Sequence, residues 1–96
     1  MPTHAETDQF VRDLGRLTVL ERRAFKAALS KFLEDLTTRR FRKGLRVKGV
    51  QGSEGIFEMT WAPDGRATFE YGPPVREGQP HIIWRRVGPH DVLANP

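Results

Sequence analysis

The spacing of apolar residues changes period once along this chain, and that change limits the folds open to it. Up to Leu36 apolar side chains recur at helical intervals; beyond Thr38 they alternate. In TDQFVRDLGRL, Phe10, Val11, Leu14 and Leu17 share one helical face, Thr7 or Asp8 can cap the start, and Gly15 stands near the stop. TVLERRAFKAALSKFLEDL follows, with Thr18 and Glu21 at capping-box spacing and Phe25, Ala28, Leu29, Phe32, Leu33 and Leu36 as one stripe. The spacing predicts a short helix and then a main helix over residues 19–36. An aromatic stripe of helical period is far more often core than ligand site, so Phe25 and Phe32 are assigned to packing.

Past Thr38, Leu45 and Val47 alternate with Arg46 and Lys48, which predicts a strand that buries one face and shows cations on the other. GIFEMTWAPDGRATFEYG reads as a hairpin turning at Pro63-Asp64-Gly65, with the glycine in a left-handed position. With Ala62 opposite Arg66, Trp61 faces Ala67, Met59 faces Phe69 and Phe57 faces Tyr71, all on one side of the sheet. Glu58, Thr60, Arg66, Thr68 and Glu70 then share the other side. This register sets Glu58 against Glu70, a like-charge pair that Arg46, Lys48, Arg85 or Arg86 from a neighbouring strand would have to relieve. GPPVREGQP is too rich in Pro and Gly for regular structure; it leads to a last strand from His81 to about Val87, and Ala94-Asn95-Pro96 is expected to fray. The architecture expected is α+β, with two N-terminal helices packed on one face of a small twisted antiparallel sheet and a polar, basic opposite face. Residues 1–96 should form a single domain, since a hydrophobic content of 38% supports one modest core and no second.

Charge is unevenly placed. Residues 1–36 hold six Lys/Arg and six Asp/Glu, whereas residues 37–96 hold ten and six, so the whole net charge of +4 lies in the second part. In TTRRFRKGLRVKGV, Arg39, Arg40, Arg42, Lys43, Arg46 and Lys48 occur without an acidic residue. Clustered cations gain from counterion release on a phosphate backbone, although a solvated run that aids solubility has the same composition. Cysteine is absent, which excludes disulfides and thiolate metal sites. His4, His81 and His90 lack ligand spacing, the carboxylates do not cluster, and phosphate-binding glycine loops and serine elbows are missing, so neither a metal nor a cofactor is expected. No signal-like start or membrane-length apolar run is present, and a cytoplasmic, soluble protein is expected. A cationic surface with isolated titratable groups suits metal-free RNA cleavage, in which the RNA 2′-hydroxyl is the nucleophile and the protein moves two protons and stabilises phosphorane charge. Basic sheets also bind nucleic acid without cutting it.

The order of these segments resembles the RelE/ParE superfamily of type II toxins. The stretches that carry the likeness are the helical region ending FLEDL, GLRVKGVQGSEGIFEMTW, the arginine-led return strand RATFEY, and HIIWRRVGPHD. The resemblance implies a RelE-like fold, an mRNA endonuclease that works at the ribosome without a metal, and a cognate antitoxin partner; the ParE branch would instead inhibit gyrase. Carried over by position, Arg66 matches the transition-state arginine, and Lys48 and Arg46 match the basic RNA-contacting strand. Arg86 and His90 match the C-terminal cation and proton-transfer positions, with Glu58 a further candidate base. Arg39, Arg40, Arg42, Lys43 and Arg85 complete the expected RNA contacts. Each has a competing role as surface charge or ion-pair partner, Glu58 above all. The sequence departs from the family in lacking a C-terminal tyrosine and in reducing the first strand to PTHAE.

Overall fold

A computed structural model describes residues 2–96. Among them the elements run β1 (Thr3–Glu6), α1 (Asp8–Arg16), α2 (Val19–Leu36), a 3-10 turn (Lys43–Leu45), β2 (Lys48–Gly49), β3 (Ile56–Thr60), β4 (Gly65–Gly72), β5 (His81–Pro89) and a second 3-10 turn (His90–Ala94). The strands form one sheet in the order β1-β5-β4-β3-β2. It is mixed: β1 runs parallel to β5, and the other pairs are antiparallel. Of PTHAE, Thr3–Glu6 is thus a fully paired strand, with Thr3 opposite His81 and Glu6 opposite Trp84.

Both helices start where their caps require. Thr7 accepts a hydrogen bond from the Phe10 N–H, and Thr18 and Glu21 close a reciprocal capping box. The α2 stripe Phe25, Ala28, Phe32 and Leu36 is buried on the sheet, where Phe32 lies 5.0 Å from Phe69 and 5.2 Å from Trp84, and Phe25 lies 6.1 Å from Trp61 between ring centroids. Val11 does not join this face; it is exposed, and the buried α1 positions are Phe10 and Asp13.

The hairpin keeps the expected faces but not the expected register. Phe57 pairs with Phe69, Met59 with Ala67 and Thr60 with Arg66, a slip of two residues that leaves every side chain on its intended side. The loop is Ala62-Pro63-Asp64, closed by Trp61 N–H donating to the Gly65 carbonyl. Gly65 is therefore a strand residue, required by contact and not by a left-handed backbone: a Cβ there would sit 2.5 Å from the Trp61 ring. Glu58 consequently faces Thr68 and Lys48, and the predicted Glu58–Glu70 opposition does not occur. The expected basic strand is also shortened. Lys43–Leu45 form a 3-10 turn, Arg46 takes a left-handed conformation (φ 49°), and only Lys48 and Gly49 pair with β3. The C-terminal end is held down: Val92 is buried, with its Cγ1 3.0 Å from where a Gly88 Cβ would lie, and backbone carbonyls of Asn95 and Pro96 accept from Arg86 and Arg85.

These contacts separate two glycines by consequence. Gly65→Ala is expected to destabilise the fold by about 2 kcal/mol in urea denaturation, through displacement of the Trp61 ring. Gly44→Ala, which meets nothing within 4 Å, is expected to fall within about 0.5 kcal/mol of wild type.

Candidate nucleic-acid interface

The sheet face opposite the helices is assembled by register. Lys48 lies opposite Glu58, Glu58 opposite Thr68, Thr60 opposite Arg66, Thr68 opposite Arg86 and Arg66 opposite Gly88. Between Phe69 and Thr68 the β5 partner jumps from Trp84 to Arg86, so Arg85 is an extra residue in a bulge. Trp84 can therefore plug into the core while both neighbouring arginines serve the polar side. Arg85 pairs with Glu70 at 3.0 Å, although the like-charge opposition it was expected to relieve is absent.

Three of the expected site residues, Lys48, Glu58 and Arg66, share this face. Arg66 Nε lies 4.0 Å from Glu58 Oε1, and Arg66 NH1 donates to the carbonyls of Ala62, Pro63 and Gly65 at 3.3, 3.3 and 2.9 Å. Its guanidinium is thus folded back on the hairpin tip. His90 is the exposed first residue after β5; its backbone N–H approaches Asp64 Oδ1 at 3.4 Å, beside the Gly65–Pro89 pair. It shares the Arg66 end of the sheet. The face is not an open platform, since the His90–Ala94 turn lies over it and Thr68 beneath is fully buried.

Arg86 is directed elsewhere. β1 ends at Glu6, and beyond that point α1 replaces it along the β5 edge; Asp13 there accepts from Arg86 Nε at 2.6 Å, from Arg86 NH2 at 3.3 Å and from the Val87 N–H at 3.2 Å. Burial pushes the Asp13 carboxyl up, but hydrogen bonds from Arg86, Gln9 and the Val87 N–H outweigh it and hold it below the ordinary value of 3.8. Asp13 was not anticipated among the important residues. Its signal was a carboxylate inside an apolar stripe, between Phe10 and Leu17. With Arg85, Arg86 and the Asn95-Pro96 backbone, Ser53 and Ile56 line a cleft of ≈ 510 Å³ whose cations are already engaged.

The basic arm after α2 is different. Of its cations, Arg42 alone is held by an ion pair among the described residues, to Asp35 at 2.8 Å and Glu34 at 3.3 Å. Its hydrogen bonds hold the Asp35 carboxyl down at about 2. Arg39, Arg40, Lys43, Arg46 and Lys48 form no ion pair there, and Arg39 lies over the Tyr71 ring at 4.8 Å. Among the described residues no cluster of three or more His, Asp or Glu could hold a metal, and no helix is long and apolar enough to cross a membrane.

Two helices on a five-stranded mixed sheet, connected in this order, make the RelE/YafQ-type toxin fold, and solved structures match it over nearly the whole chain. A chain of the E. coli DinJ–YafQ toxin-antitoxin complex aligns at 16% identity over 96% of each chain, with TM-score 0.64. E. coli YafQ aligns at 15% identity over 97% of this chain and 98% of its own, with TM-score 0.61. The RelB–RelE antitoxin-toxin complex of Methanococcus jannaschii aligns at 19% identity over 95% of each chain, with TM-score 0.61. No family model and no curated protein matches the sequence.

The Asp13 clamp has a defined acid sensitivity. A carboxyl held below its ordinary value stabilises the fold above that value and loses the contribution as pH falls through its folded pKa. Asp13→Asn is expected to cost about 2 kcal/mol near neutrality and to flatten the stability loss as pH falls from about 5 to about 2, read by denaturation midpoints across that range.

Proposed function

We propose that this protein is the toxin of a type II toxin-antitoxin pair and cleaves mRNA in the cytoplasm, at the ribosome and without a metal. The observation that carries this reading is that Lys48, Glu58 and Arg66 share one sheet face, with His90 leaving β5 at its Arg66 end. In the reaction, a base removes the 2′-hydroxyl proton, the 2′-oxygen attacks phosphorus, the bond to the 5′-oxygen breaks, and an acid protonates that leaving oxygen. In this reading Glu58, beside Arg66, takes the first proton and exposed His90 gives the second. Arg66 supplies charge to the phosphorane once it exchanges its neutral hairpin carbonyls for phosphate oxygens, an exchange favoured by the stronger charge-assisted bond. Lys48 holds the strand, while Arg85 and Arg86 fix the floor through Glu70 and Asp13.

The likeness to chains of DinJ–YafQ and RelB–RelE complexes supports an antitoxin partner, an acidic segment of which would cover the basic sheet face. A second reading, nucleic-acid binding without cleavage, is favoured by one observation: Arg66 spends NH1 on three carbonyls of its own loop.

Induced expression followed by mapping of mRNA 5′ ends separates the two. New ends and growth arrest are expected for wild type, with Arg66→Ala reducing cleavage about 100-fold or more. Intact message at full expression, or Arg66→Ala that cuts as well as wild type, overturns the endonuclease reading.

A further inference from the structure

The chain's single tyrosine sits at the far end of β4 from Arg66, about 17 Å away at roughly 3.4 Å per residue, and on the helix side of the sheet. Tyr71 is half-buried there, edge-on to Phe57 with ring centroids 5.5 Å apart. Arg39 covers it, its guanidinium carbon 4.8 Å from the ring centroid. Burial pushes the Tyr71 phenol up, partly opposed by Arg39, so the ring is neutral at physiological pH.

The backbone under Arg39 is unusual. It lies just past the end of α2 with φ 57°, in the left-handed region where a helix normally places glycine. An arginine there carries a conformational cost, and its side chain is set on an aromatic face instead of an acid. Arg40 and Lys43, next along the same arm, are exposed and without ion pairs among the described residues. The arm then turns through Arg46 to Lys48 on the edge strand β2, which joins the helix side of the sheet to the Lys48–Glu58–Arg66 side.

We infer that Arg39 and Tyr71 form a stacking platform for an unpaired base of single-stranded nucleic acid, whose backbone follows Arg40 and Lys43 around the β2 edge. Unpaired bases stack on aromatic rings and on guanidinium planes, and cations beside such a surface track phosphates. In this arrangement the base lies against the exposed Arg39 side chain that covers the Tyr71 ring, so binding requires no displacement of the core. The platform goes beyond the cleavage reading and does not depend on it, because a strand that cannot be cut would still bind.

The test uses a fluorescently labelled single-stranded DNA, which lacks the 2′-hydroxyl and cannot undergo the cleavage reaction, and an abasic strand of equal length, read by anisotropy with the full chain. Wild type is expected to bind the base-bearing strand about tenfold more tightly than the abasic one. Tyr71→Leu is expected to lose that preference, and Tyr71→Phe to retain it. Arg39→Gln is expected to lose the preference, whereas Arg40→Gln keeps it and lowers the slope of log affinity against log salt by about 0.7, a slope that Tyr71→Leu leaves unchanged. Equal wild-type affinity for the two strands overturns the proposal and needs no variant to fold. So does a Tyr71→Leu protein of wild-type melting temperature that keeps the preference, the result if Arg39 only seals the core or if a protein partner covers this surface. Failure of mRNA cleavage with base preference intact would remove the endonuclease reading and leave the platform standing.

Discussion

The bulge in β5 is the constraint on which the rest of the structure depends. One residue too many between the Trp84–Phe69 pair and the Arg86–Thr68 pair changes which face the strand presents. Without it, strict alternation would send Trp84 and Arg86 to the same side, burying a guanidinium or exposing an indole. With it, Trp84 packs on Phe10, Phe25, Phe32 and Phe69, at 5.8, 6.0, 5.2 and 5.6 Å, and joins both helices to the sheet. The same residue count delivers two arginines to the polar side. Asp13 secures the arrangement, because its carboxylate takes up the Val87 N–H that a longer β1 would otherwise have paired. Core packing and the charge layout of the candidate site thus share one cause.

How much of this was legible in the sequence depended on how local the signal was. Both helix starts were readable because a cap is decided within four residues, as Thr18 and Glu21 show. The faces of the hairpin were readable because parity survives any even slip; the register was not, since Pro-Asp-Gly has the composition of a turn while the missing Gly65 side chain serves the Trp61 ring. The basic strand at 45–48 failed for a similar reason. Alternation of Leu45, Arg46, Val47 and Lys48 looks extended, yet the left-handed Arg46 and the preceding 3-10 turn break it, and β2 is too short for propensity to reveal. The parallel β1–β5 pairing, the Asp13 clamp and the seating of the C-terminal carbonyls on Arg85 and Arg86 join residues distant in sequence, and no local pattern announces them.

The candidate site was legible in part. Lys48, Glu58 and Arg66 share a face by strand parity, and His90 falls at the Arg66 end because β5 runs antiparallel to β4. Arg86 and Arg42 illustrate what composition cannot separate: both are cations in basic stretches, and both are bound to carboxylates on the helices, Asp13 and Asp35. Tyr71 was assigned to the core by the same parity that placed Phe57 there. Its partial exposure under Arg39 follows from where α2 ends, a boundary that leaves this end of the sheet to the arm instead of the helix.

The division between engaged and unengaged cations has a consequence for how any polyanion would be held. Arg66, Arg85 and Arg86 each have internal acceptors, so a phosphate that recruits them gains the difference between two sets of hydrogen bonds, not a full new one. Among the described residues, Arg39, Arg40, Lys43, Arg46 and Lys48 have no carboxylate to surrender. Long-range attraction and salt sensitivity therefore belong to the arm, where counterions are released on contact. Discrimination belongs to the sheet face, where Arg66 leaves its hairpin carbonyls only for an acceptor of greater charge. A polyanion would therefore be held loosely along the arm and would engage the sheet face only if it could draw Arg66 away from its own loop.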